Sequence, residues 1–316
     1  MRRTATWLVV GGVLVVGGVA LAEAFLRDED ATADRPESGQ PTSSTRNDLP
    51  SQLEAAGARG LLYVGVEQGD QCALRAIRLP TLVVERSFEV TDCRFAVAPD
   101  GTVASGSDCS GTSALATPDG AVVDLFEGCA PAWKPDGELT FVRDGNVMTV
   151  PRSCARPIDA CASVALSQWE IRRSLESVPG VRSPVLQEIA WLDNSRMAAI
   201  LRDDRGDFVA AFEGRRLAAA PSFGVGRLSG LTVDRANRRI VVMGNEIQGP
   251  FVLDSVGGFV DNLGTPVPEV VAVAISPDGT WAAAVGRASV LVFELGEPGR
   301  AFRLPFAGGW VAWREP

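Results

Sequence analysis

The sequence predicts an all-β fold, a six-bladed β-propeller, carried behind an N-terminal transmembrane helix and a disordered linker. Three observations predict the ring. A strand–turn–strand unit built on Pro-Asp-Gly recurs at intervals near 40 residues, the chain stops on half of such a unit, and two cysteine pairs fall at equivalent places in consecutive units. The boundaries this implies are a membrane anchor or signal sequence over 1–26, a linker over 27–55 and the propeller over 56–316.

At the N-terminus, Arg2 and Arg3 precede an uncharged apolar run of 19 residues, Thr4 to Ala22. As a helix it would reach roughly 28 Å, close to the hydrocarbon thickness of a bilayer. Positive charge before the run and Glu23, Asp28, Glu29 and Asp30 after it keep the N-terminus cytoplasmic and send the rest of the chain outward. Ala20-Leu21-Ala22 also has the form of a signal-peptidase site, so the alternative is a protein secreted after cleavage near Ala22. The run is long for a signal core, and Phe25-Leu26 extend it past that site, which favours the single-pass anchor. Residues 27–50 are rich in Pro, Ser, Thr and acids and lack hydrophobic periodicity, the composition of a spacer.

The repeat is clearest in FAVAPDGTVASGS (95–107), PAWKPDGELTFVRDG (131–145) and VAISPDGTWAAAVG (273–286), with degenerate copies at 188–201 and 230–244. Proline fixes φ at the first turn position, aspartate bonds back to nearby amides, and glycine supplies positive φ. The turn aspartates Asp100, Asp136, Asp193, Asp234 and Asp278 are separated by 36, 57, 41 and 44 residues. The long step holds CARPIDAC (154–161) and SQWEIRRSLES (167–177). Ser167 and Glu170 there form a capping box, which predicts a loop and a short helix inserted in blade three. The C-terminal WVAWREP (310–316) copies the strand that precedes each turn, whereas the domain begins at LLYVGVE (61–67), the strand that follows one. Pairing the two completes a sixth blade and removes the free sheet edges.

This Pro-Asp-Gly repeat resembles the TolB-type, WD-repeat-like six-bladed propellers over nearly all of residues 61–316. The resemblance implies a protein-binding platform with the first strand of each blade lining a central channel. The chain differs from TolB in having an anchor and spacer where TolB has a separate N-terminal domain, so TolB's own partners are not carried over.

The six cysteines, in an exported chain, predict disulfides. Cys72 and Cys93 bracket the outer half of blade one, and Cys109 and Cys129 occupy the corresponding places one blade later. Their separations of 21 and 20 residues favour Cys72–Cys93 and Cys109–Cys129, leaving Cys154–Cys161 as a local bridge. Thiolate metal or redox chemistry is disfavoured because no C-x-x-C pair occurs.

Composition closes other routes. The net charge of −9 argues against a nucleic-acid partner. Histidine is absent, which removes serine–histidine and cysteine–histidine nucleophiles and histidine metal sites. Asp203, Asp204 and Asp207 read as a solvated hairpin rather than a calcium loop. The Arg205-Gly206-Asp207 triplet is too short a match to carry an adhesion function. GVGRLSG (224–230) misses the dinucleotide fingerprint. The presumed inner strands are small and apolar, with Glu188 and Glu269 only near their starts, and Trp133, Trp191 and Trp313 recur at one repeat position as inter-blade packing residues. No catalytic, cofactor-binding or metal-ligating residue is assigned, and no cofactor is expected. The reading is a non-enzymatic platform for an unknown envelope protein or cell-wall ligand. The alternative is a propeller hydrolase or lyase with a metal in the channel.

Overall fold

The computed structural model describes residues 48–315, apart from 69–70, 91, 107–108, 110, 155–156, 220–221, 224–225, 245–249, 264–269, 287–288 and 297–299. The expected membrane helix, most of the linker and Glu269 lie outside the described residues. Among the described residues no helix is long and apolar enough to cross a membrane.

Six antiparallel sheets follow one another along the chain. Blade one contains β1 (Gly60–Gln68), β2 (Gln71–Leu79) and β3 (Val83–Val90). Blade two is β4 (Phe95–Val97), β5 (Val103–Ser105), β6 (Thr112–Ala116) and β7 (Val122–Glu127). Blade three is β8 (Cys129–Trp133), β9 (Leu139–Arg143), β10 (Asn146–Val150) and β11 (Ser163–Leu166). Blade four runs β12 (Val185–Trp191), β13 (Arg196–Asp203), β14 (Gly206–Glu213), and an outer strand broken into β15 (Arg216–Leu217) and β16 (Ser222–Phe223). Blade five is β17 (Leu228–Asp234), β18 (Arg239–Gly244), β19 (Phe251–Leu253) and β20 (Phe259–Asn262). Blade six is β21 (Val270–Ile275), β22 (Trp281–Gly286), β23 (Ser289–Glu294) and β24 (Ala301–Leu304).

The last strand, β25 (Trp310–Arg314), closes the ring by pairing with β1, from Leu61↔Arg314 to Gly65↔Trp310. Gly60 lies so close beneath the Trp313 indole that any β-carbon there would collide with it. That indole donates to the Arg59 carbonyl at 3.1 Å, binding the last strand to the start of the domain. The composite blade foreseen from the two chain ends is the one observed.

The turn chemistry operates as the motif predicts. At Pro99-Asp100-Gly101 the Thr102 amide donates to Asp100 Oδ1 at 2.9 Å, and Gly101 takes φ 91°, a left-handed value that favours glycine. Adjacent turns also touch. Asn194 Oδ1 accepts from the Asp136 amide at 3.1 Å, and Asn237 donates to the Gly279 carbonyl at 3.2 Å.

Because every blade is packed on both faces, its middle strands are apolar on both faces, and β22 is buried at every position, whereas outer strands such as β20 are exposed. The core is accordingly divided into six apolar clusters, one at each blade–blade boundary. Alternate residues of a strand serve opposite boundaries. Ala272 and Ala274 of β21 pack toward blade one with Leu62, Val64 and Val311, whereas Val273 and Ile275 pack toward blade five with Val241 and Met243.

The insertion in blade three has the predicted parts. A single helical turn, α2 (Ile158–Cys161), joins β10 to β11, and α3 (Gln168–Leu175) follows β11. Ser167 accepts from the Glu170 amide at 3.2 Å, and Glu170 Oε2 accepts from the Ser167 amide at 2.8 Å, completing the capping box. Ile171 and Leu175 anchor the helix to the boundary between blades three and four.

One expectation needs correction. The last residues of the presumed linker form a helix, Leu49–Ala56, which precedes the first blade and is designated α1. Pro50 suits its first turn and Gly57, at φ 81°, terminates it. Leu53 and Ala58 are fully buried against blades one and six, and that apolar contact orders an otherwise polar segment.

Candidate binding site in the central channel

The inner strand of each blade, β4, β8, β12, β17, β21 and β25, is an edge of its sheet. Together these strands enclose a central cavity of about 450 Å³. Their side chains turn sideways into the inter-blade clusters, so the wall consists largely of strand edges and small residues such as Ala96, Ala132, Ala190 and Ala312. This refines the apolar lining expected from sequence, because the polar side chains cluster at the two ends.

At the end where the inner strands start, Arg94 extends from blade two past blade three to Glu188 of blade four, Nη1 to Oε1 3.1 Å. Glu188 is only 7 % exposed and also accepts from the Gly230 and Leu231 amides of blade five, at 3.3 and 2.9 Å. A β-bulge in β17 between Ser229 and Thr232 frees those two amides from the ladder. The Arg94 guanidinium lies 5.2 Å from the ring centre of Trp310 in blade one, and the Trp310 indole donates to the Phe95 carbonyl at 3.1 Å. Charge, amides and an aromatic face from blades one, two, four and five therefore meet at this end.

At the opposite, turn-bearing end, the rim carries Pro99, Trp133, Pro135, Arg235, Arg314 and Glu315. Arg235 donates Nε to the Trp191 carbonyl at 3.1 Å and Nη2 to the Trp133 carbonyl at 2.9 Å. Burial disfavours its charge and lowers its pKa from the usual guanidinium value.

The three repeated tryptophans do pack between blades, and they also help line this cavity. Trp191 donates to Thr140 Oγ1 at 2.8 Å and Trp133 to the Ala96 carbonyl at 3.2 Å, each reaching the preceding blade. Arg94 and Arg235 were not singled out by sequence. Arg94 lies just before its repeat unit and Arg235 within a degenerate copy that lacks the Pro-Asp-Gly turn, and in a chain this rich in arginine neither stands out.

The remaining candidates are structural in their contacts. Asp207 is 1 % exposed rather than solvated. It takes a two-pronged ion pair from Arg202, at 2.7 and 2.9 Å, and accepts from the Leu228 amide at 2.9 Å, tying the β13–β14 hairpin to blade five. Burial pushes its carboxyl upward, but those hydrogen bonds outweigh burial and hold its pKa below the ordinary carboxylate value. Asp203 accepts from the Arg205 amide in the turn itself. The described part of the glycine-rich 224–230 stretch, from Gly226 onward, leads into strand β17 rather than a helix. Among the described residues no group of three or more His, Cys, Asp or Glu is placed to hold a metal ion.

The disulfides are Cys72–Cys93, Cys109–Cys129 and Cys154–Cys161, the pairs that blade equivalence singles out. The first links blade one to the start of blade two and the second links blade two to β8 of blade three, both at the strand-start end. The third closes the α2 loop.

Fold and channel together define the chain as a six-bladed β-propeller. Its structure is similar to TolB from Acinetobacter baumannii, with a TM-score of 0.53 and 16% identity, covering 81% of this chain and 67% of that one. It is also similar to the Cps50 (Swd1) β-propeller domain of Myceliophteria thermophila, with a TM-score of 0.50 and 14% identity, covering 81% and 90%. At these identities the likeness is one of fold. No protein-family model matches the sequence, and no curated protein matches it.

Proposed function

We propose that this chain is a non-enzymatic, extracytoplasmic binding platform that receives an extended segment of an envelope protein through the turn-bearing end of its channel. The carrying observation is a cavity of about 450 Å³ walled by the edges of six inner strands. Its size falls within the range of ligand sites. An extended polypeptide can satisfy strand-edge amides and carbonyls while packing on small apolar residues, a match an acyl chain lacks.

The apolar run from Thr4 to Ala22 behind Arg2 and Arg3 supports tethering at the membrane with the propeller outside. Three disulfides support an oxidising compartment. The alternative hydrolase or lyase would need carboxylates converging on the axis. Among the described lining residues Glu188 is the one buried carboxylate, and it is already engaged by Arg94 and two amides.

Site-specific photocrosslinking in the native cells tests the proposal. A photoreactive residue replacing Pro135 at the rim is expected to give one discrete adduct, mapped by mass spectrometry to an extended segment of a partner protein. The same residue replacing the exposed Val260 on an outer strand is expected to give none. No adduct at the rim, equal capture at both positions, or a saccharide adduct overturns the reading.

A further inference from the structure

The strand-start end of the channel carries more chemistry than inter-blade packing requires. Glu188 is held in place by two backbone amides of blade five in addition to Arg94. Arg94 is held by a single 3.1 Å contact to Glu188 and by the Trp310 face, its side chain is 31% exposed, and it lines the cavity. Among the described residues its guanidinium has these two side-chain contacts, which leaves most of its five N–H donors for something else. An aromatic face 5.2 Å away and a carboxylate at 3.1 Å hold the guanidinium in place. That arrangement pre-organises the remaining fork for a second planar acceptor.

We infer that Arg94 forms the floor of a carboxylate-recognition subsite, where the polypeptide segment of the proposed function ends with a C-terminal carboxylate or places an acidic side chain. The inference rests on that function and specifies its ligand.

The charge of the cavity sets the stoichiometry. The described lining carries Arg94, Arg235 and Arg314 against Glu188 and Glu315, an excess of one positive charge. One carboxylate balances it, whereas a polyanion would meet Glu188 at the floor and Glu315 at the rim. The protein as a whole is at −9, so this excess makes the channel locally attractive to an acidic group on an otherwise repelling molecule.

Three synthetic peptides separate the sources of the carboxylate: acetyl-tetraalanine as the free acid, the same peptide as the amide, and acetyl-Ala-Ala-Glu-Ala-amide. Binding to the full-length chain is followed through the Trp310 indole N–H resonance. The free acid or the Glu peptide is expected to bind with a dissociation constant on the order of millimolar. The neutral amide is expected to bind at least about tenfold more weakly, because it forfeits a charge-assisted fork. Arg94→Gln removes that difference, and Arg94→Lys, which keeps the charge but not the fork, restores only part of it. Equal binding of all three peptides, or no binding of any, overturns the inference. So does an acid–amide difference that survives in Arg94→Gln. If Arg94→Gln fails to fold, the wild-type comparison alone decides. Rim crosslinking from position 135 keeps the two claims apart: capture without carboxylate preference overturns the floor subsite and leaves the platform standing.

Discussion

Thr140 shows how single side chains hold adjacent blades together. It is completely buried, donates to the Ala132 carbonyl at 2.9 Å and accepts from the Trp191 indole at 2.8 Å. Thr140→Val keeps the shape and orphans a buried indole N–H. A loss of about 1–3 kcal/mol is expected in urea unfolding. Aspartates whose carboxyls are held below their ordinary pKa contribute to the acid limit of the fold. For Asp193, Asp207 and Asp278 burial alone would raise the carboxyl pKa, but local hydrogen bonds outweigh it and leave each below its ordinary value. A folded-state pKa below the unfolded one stabilises above the unfolded value of about 4, and the contribution disappears as pH falls through the folded values. The urea midpoint should therefore be level between about pH 7 and 5 and decline below about pH 4. A midpoint that instead fell between 7 and 5 would place the sensitive groups elsewhere. At this scale the sequence was a partial guide. The turn aspartates announce themselves by motif, whereas Asp207 reads as solvent-exposed until Arg202 and Leu228 are seen closing over it.

Short elements were legible when they carried a local signature. The capping box at Ser167 and Glu170 identified α3, and Ser167→Ala is expected to cost about 1 kcal/mol in urea unfolding. The helix at Leu49–Ala56 carried little local signal, because its LPSQLEAA sequence presents one large buried anchor, Leu53. Leu53→Ala should cost about 2–5 kcal/mol, a cavity-forming loss that a free linker would not show. Motif alone also misleads at this scale. Pro118-Asp119-Gly120 is another Pro-Asp-Gly turn, but it joins β6 to β7 rather than an inner strand to its neighbour. The blade count therefore depends on position within the repeat as well as on the tripeptide. Non-reducing peptide mapping should recover Cys72–Cys93, Cys109–Cys129 and Cys154–Cys161. A link between Cys72 and Cys109 would break the equivalence of the first two blades.

The ring is the most sequence-legible level of the molecule. Its period, the half-unit at the C-terminus and the strand missing from blade one all follow from the chain, and the β25–β1 register joins them. The channel contents were less legible, since Arg94 meets Glu188 only after the chain has passed an entire intervening blade. The bulge that frees the Gly230 and Leu231 amides likewise has no tripeptide signature. In the proposed function the partner is held inside the channel. The most direct measurement fills it: Thr232→Trp, at a partly exposed lining position, with rim crosslinking from position 135 as the readout. The expected result is a folded ring with unchanged disulfides that no longer captures the partner. Undiminished capture by a folded Thr232→Trp ring would contradict it.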